Sequence, residues 1–439
     1  MDVGVGVLTA DWRSTPLWWD EAPPLPAAAE PPSRADVVVV GGGYCGLSCA
    51  RTLARAGVRV AVLDAVDPGA GAATRNHGHV GGIGKLPAGV ERIVGAERAA
   101  RMKEDMVRAR HFLLDLIADE KLDVDYVQCG RFMGAHSPAA YEAFARNADA
   151  YRRELGLTIH MVPQAEQRAE TGSDFYFGGM IAEEAGALQP AKLHRELRRL
   201  AEAAGATICG GARVATVRRG PNGFDLATSR GSLRADNVVL ATNAYTDAVS
   251  PYVRRRIVPV AATMIATEPL PEPVARQIMP TNRTGGDTKR ALYAFRRSPD
   301  GRRIVFAGRA RFGPIDEADA APVLHRFMRG VWPQLAEAKI SHCWKGYVGF
   351  TYDRVQHMGE VDGVHYVAGC NGSGVMMMTY LGHQTGLKLL GTQDRPCGFD
   401  GDPFAPVPVP FYRGDPWFLP AVGGYYVARD RLDRLMGGR

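Results

Sequence analysis

The stretch that decides the fold is Asp36-Val37-Val38-Val39-Val40-Gly41-Gly42-Gly43-Tyr44-Cys45-Gly46, read on to Asp64. Its four consecutive valines show no polar alternation, the pattern of a strand buried on both faces. Leu47, Ala50, Leu53 and Ala54 then recur at helical spacing until Gly57 stops the helix. Residues 58–63 read as a second strand that ends at Asp64. A strand–turn–helix–strand unit of this size implies two parallel strands. The turn has the GxGxxG spacing in its required setting, and each glycine has a separate task. Gly41 permits the tight turn, Gly43 lets the backbone approach a pyrophosphate, and Gly46 lets helix and strand pack closely. The helix N-terminus adds free N–H groups and a positive dipole end. Asp64 follows Gly41 by 23 residues, the place for a carboxylate that accepts from adenosine ribose hydroxyls. Its charge opposes a 2′-phosphate there.

Strand units of the same kind recur further along. A helix is expected from Pro190, then strands at 207–209, 214–217, 224–227 and 238–241, with Pro221-Asn222-Gly223 as a turn. A last strand over 365–368 precedes a second glycine-rich turn, Gly369-Cys370-Asn371-Gly372-Ser373-Gly374, and a helix to about Leu390. Between these units lie a long amphipathic helix over 96–119 and a region at 250–345 that mixes strands with a helix near 319–335. The fold class is therefore α/β with an α+β second part. One Rossmann-type nucleotide-binding domain (35–100, 186–249 and 345–392) is interrupted by a substrate domain (101–185 and 250–344). Residues 1–34, with Trp12, Trp18 and Trp19, read as an irregular anchored arm, and 393–439 as a tail that wraps the surface.

The dinucleotide of the first turn is NAD or FAD. The second glycine turn favours FAD, because a nicotinamide needs one such loop whereas an isoalloxazine must be pinned as well. Gly374, Val375 and Met376 begin a helix whose N–H groups can face the flavin edge that becomes negative on reduction.

Composition closes off other classes. The chain has 439 residues, 46% hydrophobic and 23% charged, which excludes disorder, a fibre or a simple repeat array. Its net charge of +6 is spread, and the densest basic cluster is Arg254-Arg255-Arg256, so a nucleic-acid surface is not expected. The apolar runs are strand-sized and the N-terminus lacks a basic start before an apolar block. No membrane span is expected, and the expected compartment is the cytoplasm. Seven cysteines, odd in number and widely spaced, read as reduced thiols, not as a disulfide framework or a zinc site.

The segments ADVVVVGGGYCGLSCARTLARAG, GAATRNHGHVGG, GALQPAKLHRELRRLAEAAGA, VVLATNAYT and VAGCNGSGV occur in the order of the D-amino acid oxidase-like (DAO) superfamily of FAD-dependent amine and amino acid oxidoreductases, which this chain resembles over about residues 10–435. TRNHGH, IATEPL, WKGYVGFTYDR and PWFLPAVGGYYVARDRL are most similar to its gamma-glutamylputrescine oxidoreductase branch. The resemblance implies a glutathione-reductase-type FAD domain and an antiparallel sheet over the flavin. It implies FAD contacts at Gly41, Gly43, Gly46 and Asp64, and at Arg75, Asn76 and Gly78. The backbone of Val214, the turn Ala241-Thr242-Asn243, and Gly372, Gly374, Val375 and Met376 complete that set.

It also implies an oxidised amine or amino acid, an imine product that hydrolyses, and O2 or a carrier as electron acceptor. The alternatives are an amine dehydrogenase serving a carrier or quinone, and a domain that modifies a macromolecule. His77 and His79 stand where relatives have a glycine and an amide. They are expected to take a proton from the substrate ammonium or to contact the flavin. A covalent flavin link through His77 is the alternative, but a non-covalent flavin is favoured: the cysteine position of the sarcosine oxidase branch falls on Gly346, with Cys343 three residues away. Phe306 falls where that branch carries an oxygen-activating lysine, which predicts slow reaction with O2. Arg296 resembles the carboxylate-binding arginine of glycine oxidase, with Arg309 as the second choice, and Tyr347 and Thr351 are expected to line the pocket.

Overall fold

The computed structural model of the protein describes residues 6–81, 86–87 and 89–436. Two sheets carry the architecture. The first has eight strands. Its central path runs Val214–Gly220, Gly223–Thr228, Gly231–Leu240, Arg34–Val40, Val60–Leu63, Thr207–Cys209, and Val364–Ala368 and His357–Val361 lie off that path. The pairings among Arg34–Val40, Val60–Leu63, Thr207–Cys209, Gly231–Leu240 and Val364–Ala368 are parallel, as the valine run demands. Val38 and Val39 are fully buried, one toward each side of the sheet. The helix Tyr44–Arg55 packs on one side against the helices Gly374–Leu390 and Pro190–Ala203. The helix Ala96–Asp119 buries Met102, Ala109, Leu113 and Leu116 in the same cluster.

The second sheet has nine strands. Their order is Leu8–Arg13, Ile340–Phe350, Val258–Thr267, Ile304–Gly308, Ala294–Arg297, Thr284–Asp287, Arg131–Gly134, Gly179–Ala182, Ile159–Val162. One side is covered by the helix Glu317–Val331, which buries Leu324, Met328 and Val331 against Ile265, Phe295 and Phe306. The other side carries Met264, Val305, Ala307, Ala294 and Trp344, packed on Trp18 and Ala191. That side meets the helix Pro190–Ala203 through Ala191.

Two expectations need correction. The arm is not wholly irregular: Leu8–Arg13 pairs in parallel with the strand that begins at Ile340. Its aromatics do anchor it, since Trp18 is 2% exposed and donates to the Asn76 carbonyl at 2.8 Å. The tail ends in an 18-residue helix, Leu419–Met436. Its paired Gly423-Gly424 lowers helix propensity and hides the signal. The structure puts Gly423 to use, because a Cβ there would lie 2.2 Å from Phe312. Among the described residues no helix is long and apolar enough to cross a membrane.

Candidate active site

The first glycine turn has the form of a phosphate cradle. Gly41 has φ +106°, and a Cβ on it would stand 2.9 Å from the Ala241 carbonyl oxygen. A Cβ on Gly46 would fall 1.9 Å from the Gly41 carbonyl oxygen, so no other residue fits. A Cβ on Gly43 would meet nothing nearer than Ala73 at 4.0 Å, which leaves space for a ligand to approach. Gly43 is the N-cap of the helix Tyr44–Arg55 and has no side-chain capping bond, so the first N–H groups stay available. Asp64 closes the unit. Its Oδ2 accepts from the Gly42 N–H at 2.8 Å and its Oδ1 from the Val66 N–H at 3.1 Å. Burial raises its pKa, and these donors oppose the rise. The Ala212 N–H donates to the Asp64 carbonyl at 2.7 Å, which brings the strand that starts at Val214 beside the acid.

The second turn is tied to the first strand unit by Asn243. Its Oδ1 accepts from the Gly369 N–H at 2.9 Å, and a Cβ on Gly349 would collide with its side chain at 2.4 Å. Ala241, just upstream, donates its N–H to the Val40 carbonyl at 2.8 Å, and Thr242 pairs with Thr246. Asn371 Oδ1 accepts from the Thr351 N–H at 3.0 Å, and Thr351 donates to the Val355 carbonyl, so Thr351 braces this turn. Gly372 has φ +87°, and a Cβ on it would meet no atom within 4 Å, again open space. The helix that starts at Gly374, with Val375 and Met376 in its first turn, has no side-chain cap on Ser373. Two uncapped helix N-termini with open glycines before them fit a dinucleotide with a flavin.

The loop Arg75–His79 crosses the sheet face that looks toward the nucleotide side. Trp344 Nε1 donates to the Arg75 carbonyl at 3.0 Å, Trp18 holds the Asn76 carbonyl, and Arg296 Nη1 donates to the His77 carbonyl at 2.9 Å. Asn76 is locally engaged: its Nδ2 donates to the Ala73 carbonyl at 2.8 Å and its Oδ1 accepts from the Gly78 N–H at 2.7 Å. Gly78 has φ +69°, and a Cβ there would sit 2.0 Å from the Leu188 carbonyl oxygen. Arg75 donates to the Ala70 and Lys345 carbonyls and lies over Trp19. Gly346 is directly opposite, since a Cβ on it would be 3.1 Å from the Arg75 Cβ.

Under this loop the sheet is lined by small residues. Gly286 pairs with both Ala294 and Met133, Ala294 with Ala307, Ala307 with Met264, and Ala262 with Gly346. Residues that pair across strands share a face, and so do residues two apart on one strand. Arg296 and Arg131 therefore lie on that face as well.

His77 and His79 lie with their rings 5.0 Å apart, and the Nε2 of each is buried without a hydrogen-bond partner. Burial, with Arg296 and Arg131 nearby, holds His77 down to about 3 and His79 well below its ordinary value. Both imidazoles are thereby held toward the neutral form. Arg296 is 6% exposed. Its Nη1 donates to the His77 and Leu188 carbonyls and its Nε to the Arg297 carbonyl at 3.0 Å. Burial lowers its pKa to about 10. Its charge is met by carbonyl dipoles and by the Trp18 ring 5.5 Å away, with no carboxylate in contact among the described residues. Arg309 lies over Phe312 and Phe350, with centroid distances of 5.3 and 5.4 Å. Tyr347 is 39% exposed and packs edge-on to Tyr245 at 5.8 Å.

Two residues named from the sequence point away from this face. Phe306 is fully buried on the helix side, against Trp332 and Tyr293, so it gives no ground for slow reaction with O2. Cys343 lies in the same helix-side cluster and does not reach the loop. Arg131, which the sequence did not single out, shares that face; it and Met133 are half-buried, on either side of buried Phe132.

The folding pattern, the two glycine turns and the loop held between the sheets define a dinucleotide-dependent oxidoreductase. Residues 36–386 match the family model described as FAD dependent oxidoreductase (DAO), and the chain belongs to that family. It is 30% identical to gamma-glutamylputrescine oxidoreductase of Escherichia coli (strain K12), over 90% of this chain and 93% of that protein. It is 28% identical to a probable oxidoreductase OrdL of Rhizobium meliloti (strain 1021), over 91% and 93%. Among solved structures, glycine oxidase from Geobacillus kaustophilus superposes with a TM-score of 0.68 at 20% identity, covering 86% of this chain and all of that one. L-proline dehydrogenase from P. horikoshii gives 0.66 at 18%, covering 90% and 98%.

Proposed function

We propose that the protein oxidises the C–N bond of a small amine or amino acid to an imine, which then hydrolyses in water. The observation that carries this reading is the loop Arg75–His79 lying over a small-residue sheet face, flanked by two uncapped helix N-termini. FAD, when bound, supplies the acceptor for the hydride that leaves the α-carbon.

In this reading segments 35–100, 186–249 and 345–392 hold the FAD, and segments 101–185 and 250–344 shape the substrate side. The turn Gly41–Gly46 holds the pyrophosphate and Asp64 the ribose hydroxyls. The helix from Gly374 offers N–H groups to the flavin edge where charge develops. Arg75, Asn76 and Gly78 form the loop beside the flavin. The unpartnered Nε2 of His77 or His79 accepts a hydrogen bond from the substrate ammonium, a task for which a neutral imidazole is suited. Tyr347 lines the entrance, and an acidic group on the substrate is drawn to the cationic end of the face where Arg296 lies. Relatives named for gamma-glutamylputrescine and for glycine support an amine or amino acid as the substrate class.

The test is anaerobic bleaching of the bound flavin across a panel of amines and amino acids. Bleaching by at least one member, with release of ammonia or a shorter amine, is the expected result. A flavin that no amine reduces, but that NADH or a hydroxy acid does, would overturn the reading.

A further inference from the structure

The helix Leu419–Met436 reverses the usual arrangement of a surface helix, which turns its apolar face inward. Its body side is held chiefly by charged groups. Asp430 accepts from the Arg290 and Ala291 N–H groups at 3.1 and 3.0 Å, and Asp433 Oδ2 accepts from Arg290 Nη1 at 2.7 Å. Its solvent side is apolar. Ala421, Tyr425, Ala428, Leu432 and Leu435 recur at alternating spacings of four and three, with Gly424 beside Tyr425, and all are exposed. Tyr425 is 60% exposed, Leu432 42% and Leu435 75%. Trp417, 60% exposed, continues the line one turn before Ala421. Such spacings stack side chains on one face, so the helix carries an unbroken apolar stripe about 27 Å long.

The alternation of four and three is the 3.5-residue period that lets one helix pack along another. The chemistry of the stripe selects a second copy of this chain as that other helix. A two-fold axis between Gly424 and Tyr425 runs the two helices antiparallel and makes each contact twice. In that register the Tyr425 ring lies over Gly424 of the second copy, where a Cβ would meet no atom within 4 Å of its own chain. Ala421 faces Ala428, and Trp417 faces Leu432. Small residues therefore meet near the crossing point, where the backbones approach, and large ones fill the space where the helices diverge. The charges agree with the same register. Asp415 and Arg431 are exposed, and neither makes an ion pair among the described residues. Antiparallel pairing brings Asp415 beside Arg431 of the second copy, whereas parallel pairing sets Arg431 against Arg431. Arg429, on the other flank of the stripe, is already offset by Asp433 at 3.4 Å.

We infer that the exposed stripe of the C-terminal helix is a self-association surface, on which a second copy of this chain docks antiparallel to form a two-fold dimer. Tyr425 and Leu432 are its apolar anchors, and Asp415 with Arg431 sets the direction of the pair.

The experiment uses the full-length FAD-loaded protein. Sedimentation velocity over a concentration series should show a dimer that dissociates reversibly on dilution. Tyr425→Glu and Leu432→Glu should each raise the dissociation constant roughly 30-fold or more, the scale for losing an interface anchor. Asp415→Arg should weaken the dimer, and adding Arg431→Asp to it should restore the affinity. Cysteine pairs read the register under mild oxidation, with native protein as the control for the part-exposed Cys129. A mixture of Ala421→Cys and Ala428→Cys should form an interchain disulfide, and neither variant alone should do so. This arm stands even if a Glu variant does not fold. A native protein that is monomeric at every concentration would overturn the inference, as would a dimer that both Glu variants leave intact. Self-crosslinking of Ala421→Cys alone would overturn the antiparallel register. A monomer that floats with phosphatidylglycerol vesicles, and loses them in Tyr425→Glu and Leu432→Glu, would assign the stripe to a lipid surface instead and sink the dimer.

Discussion

Arg296 Nη1 lies 2.7 Å from the Leu188 carbonyl oxygen and 2.9 Å from that of His77, so one guanidinium nitrogen joins two segments that are 111 residues apart. Arg296 is thereby built into the protein as a strut between these segments. Its removal acts first on the loop.

Arg296→Met leaves the His77 and Leu188 carbonyls buried without their donor, at a cost of about 1–3 kcal/mol for each. The expected outcome is lower stability in denaturant and weaker FAD retention, seen as flavin fluorescence released on dilution. Unchanged stability together with a pure rise in KM for a carboxylated amine would restore the clamp role to Arg296.

Asp64 serves two masters, because its Oδ2 accepts from the Gly42 N–H at 2.8 Å while the proposed ribose contact needs the same carboxylate. Asp64→Ala should weaken FAD by about 1–3 kcal/mol, and Asp64→Asn by less, since an amide oxygen still accepts from Gly42. Apoprotein titrated with FAD measures both.

The buried imidazoles predict an acid-labile enzyme. His77 is held down to about 3 in the folded protein, against an ordinary 6.5. Between those values the unfolded chain binds a proton that the folded one refuses. Stability is therefore complete above pH 6.5 and declines as pH falls toward 3. His79 is shifted in the same direction and adds to the slope. Denaturant melts from pH 7.5 to 4 should show this decline, and His77→Gln should flatten it. The same shift means that His77 contributes no break near pH 6.5 to the kcat/KM profile.

A non-covalent flavin is the expected outcome of acid precipitation, which should leave a colourless pellet and a yellow supernatant. Cys343 is buried on the far side of the sheet and cannot supply a thioether. A yellow pellet that turns colourless in His77→Ala would show a histidyl link.

The nucleotide half was legible because each signal is local and sterically compulsory. Gly46 can only be glycine, and the valine run can only be a central strand, so a short window suffices. The long helix Ala96–Asp119 and the strand Thr207–Cys209 were readable for the same reason, through unbroken periodicity. The substrate sheet was harder. Which side of Ile304–Gly308 faces the flavin depends on its pairing with Val258–Thr267, where Phe306 stands opposite Ile265. Without that register, sequence reasoning assigns Phe306 the wrong side. Arg131 drew no reading from the sequence because its place on the face of Arg296 follows from strand pairing across Gly286, which is a property of the assembled fold. The helix Pro138–Leu155 carries a Ser137-Pro138 start that sequence reasoning passed over.

The edge strand Leu8–Arg13 has a consequence for biogenesis. Its partner begins at Ile340, so this strand waits for more than 300 further residues before it finds its place. The valine strand Arg34–Val40 likewise waits for Gly231–Leu240, and the second glycine turn follows only at 369–374. Such distant pairings slow folding, because the entropy of closing a long loop is lost before any contact rewards it. The two glycine turns come together only once residues 369–374 have been made, and until then the apolar faces of the growing sheet lack their partners, the condition in which a nascent chain is prone to aggregate.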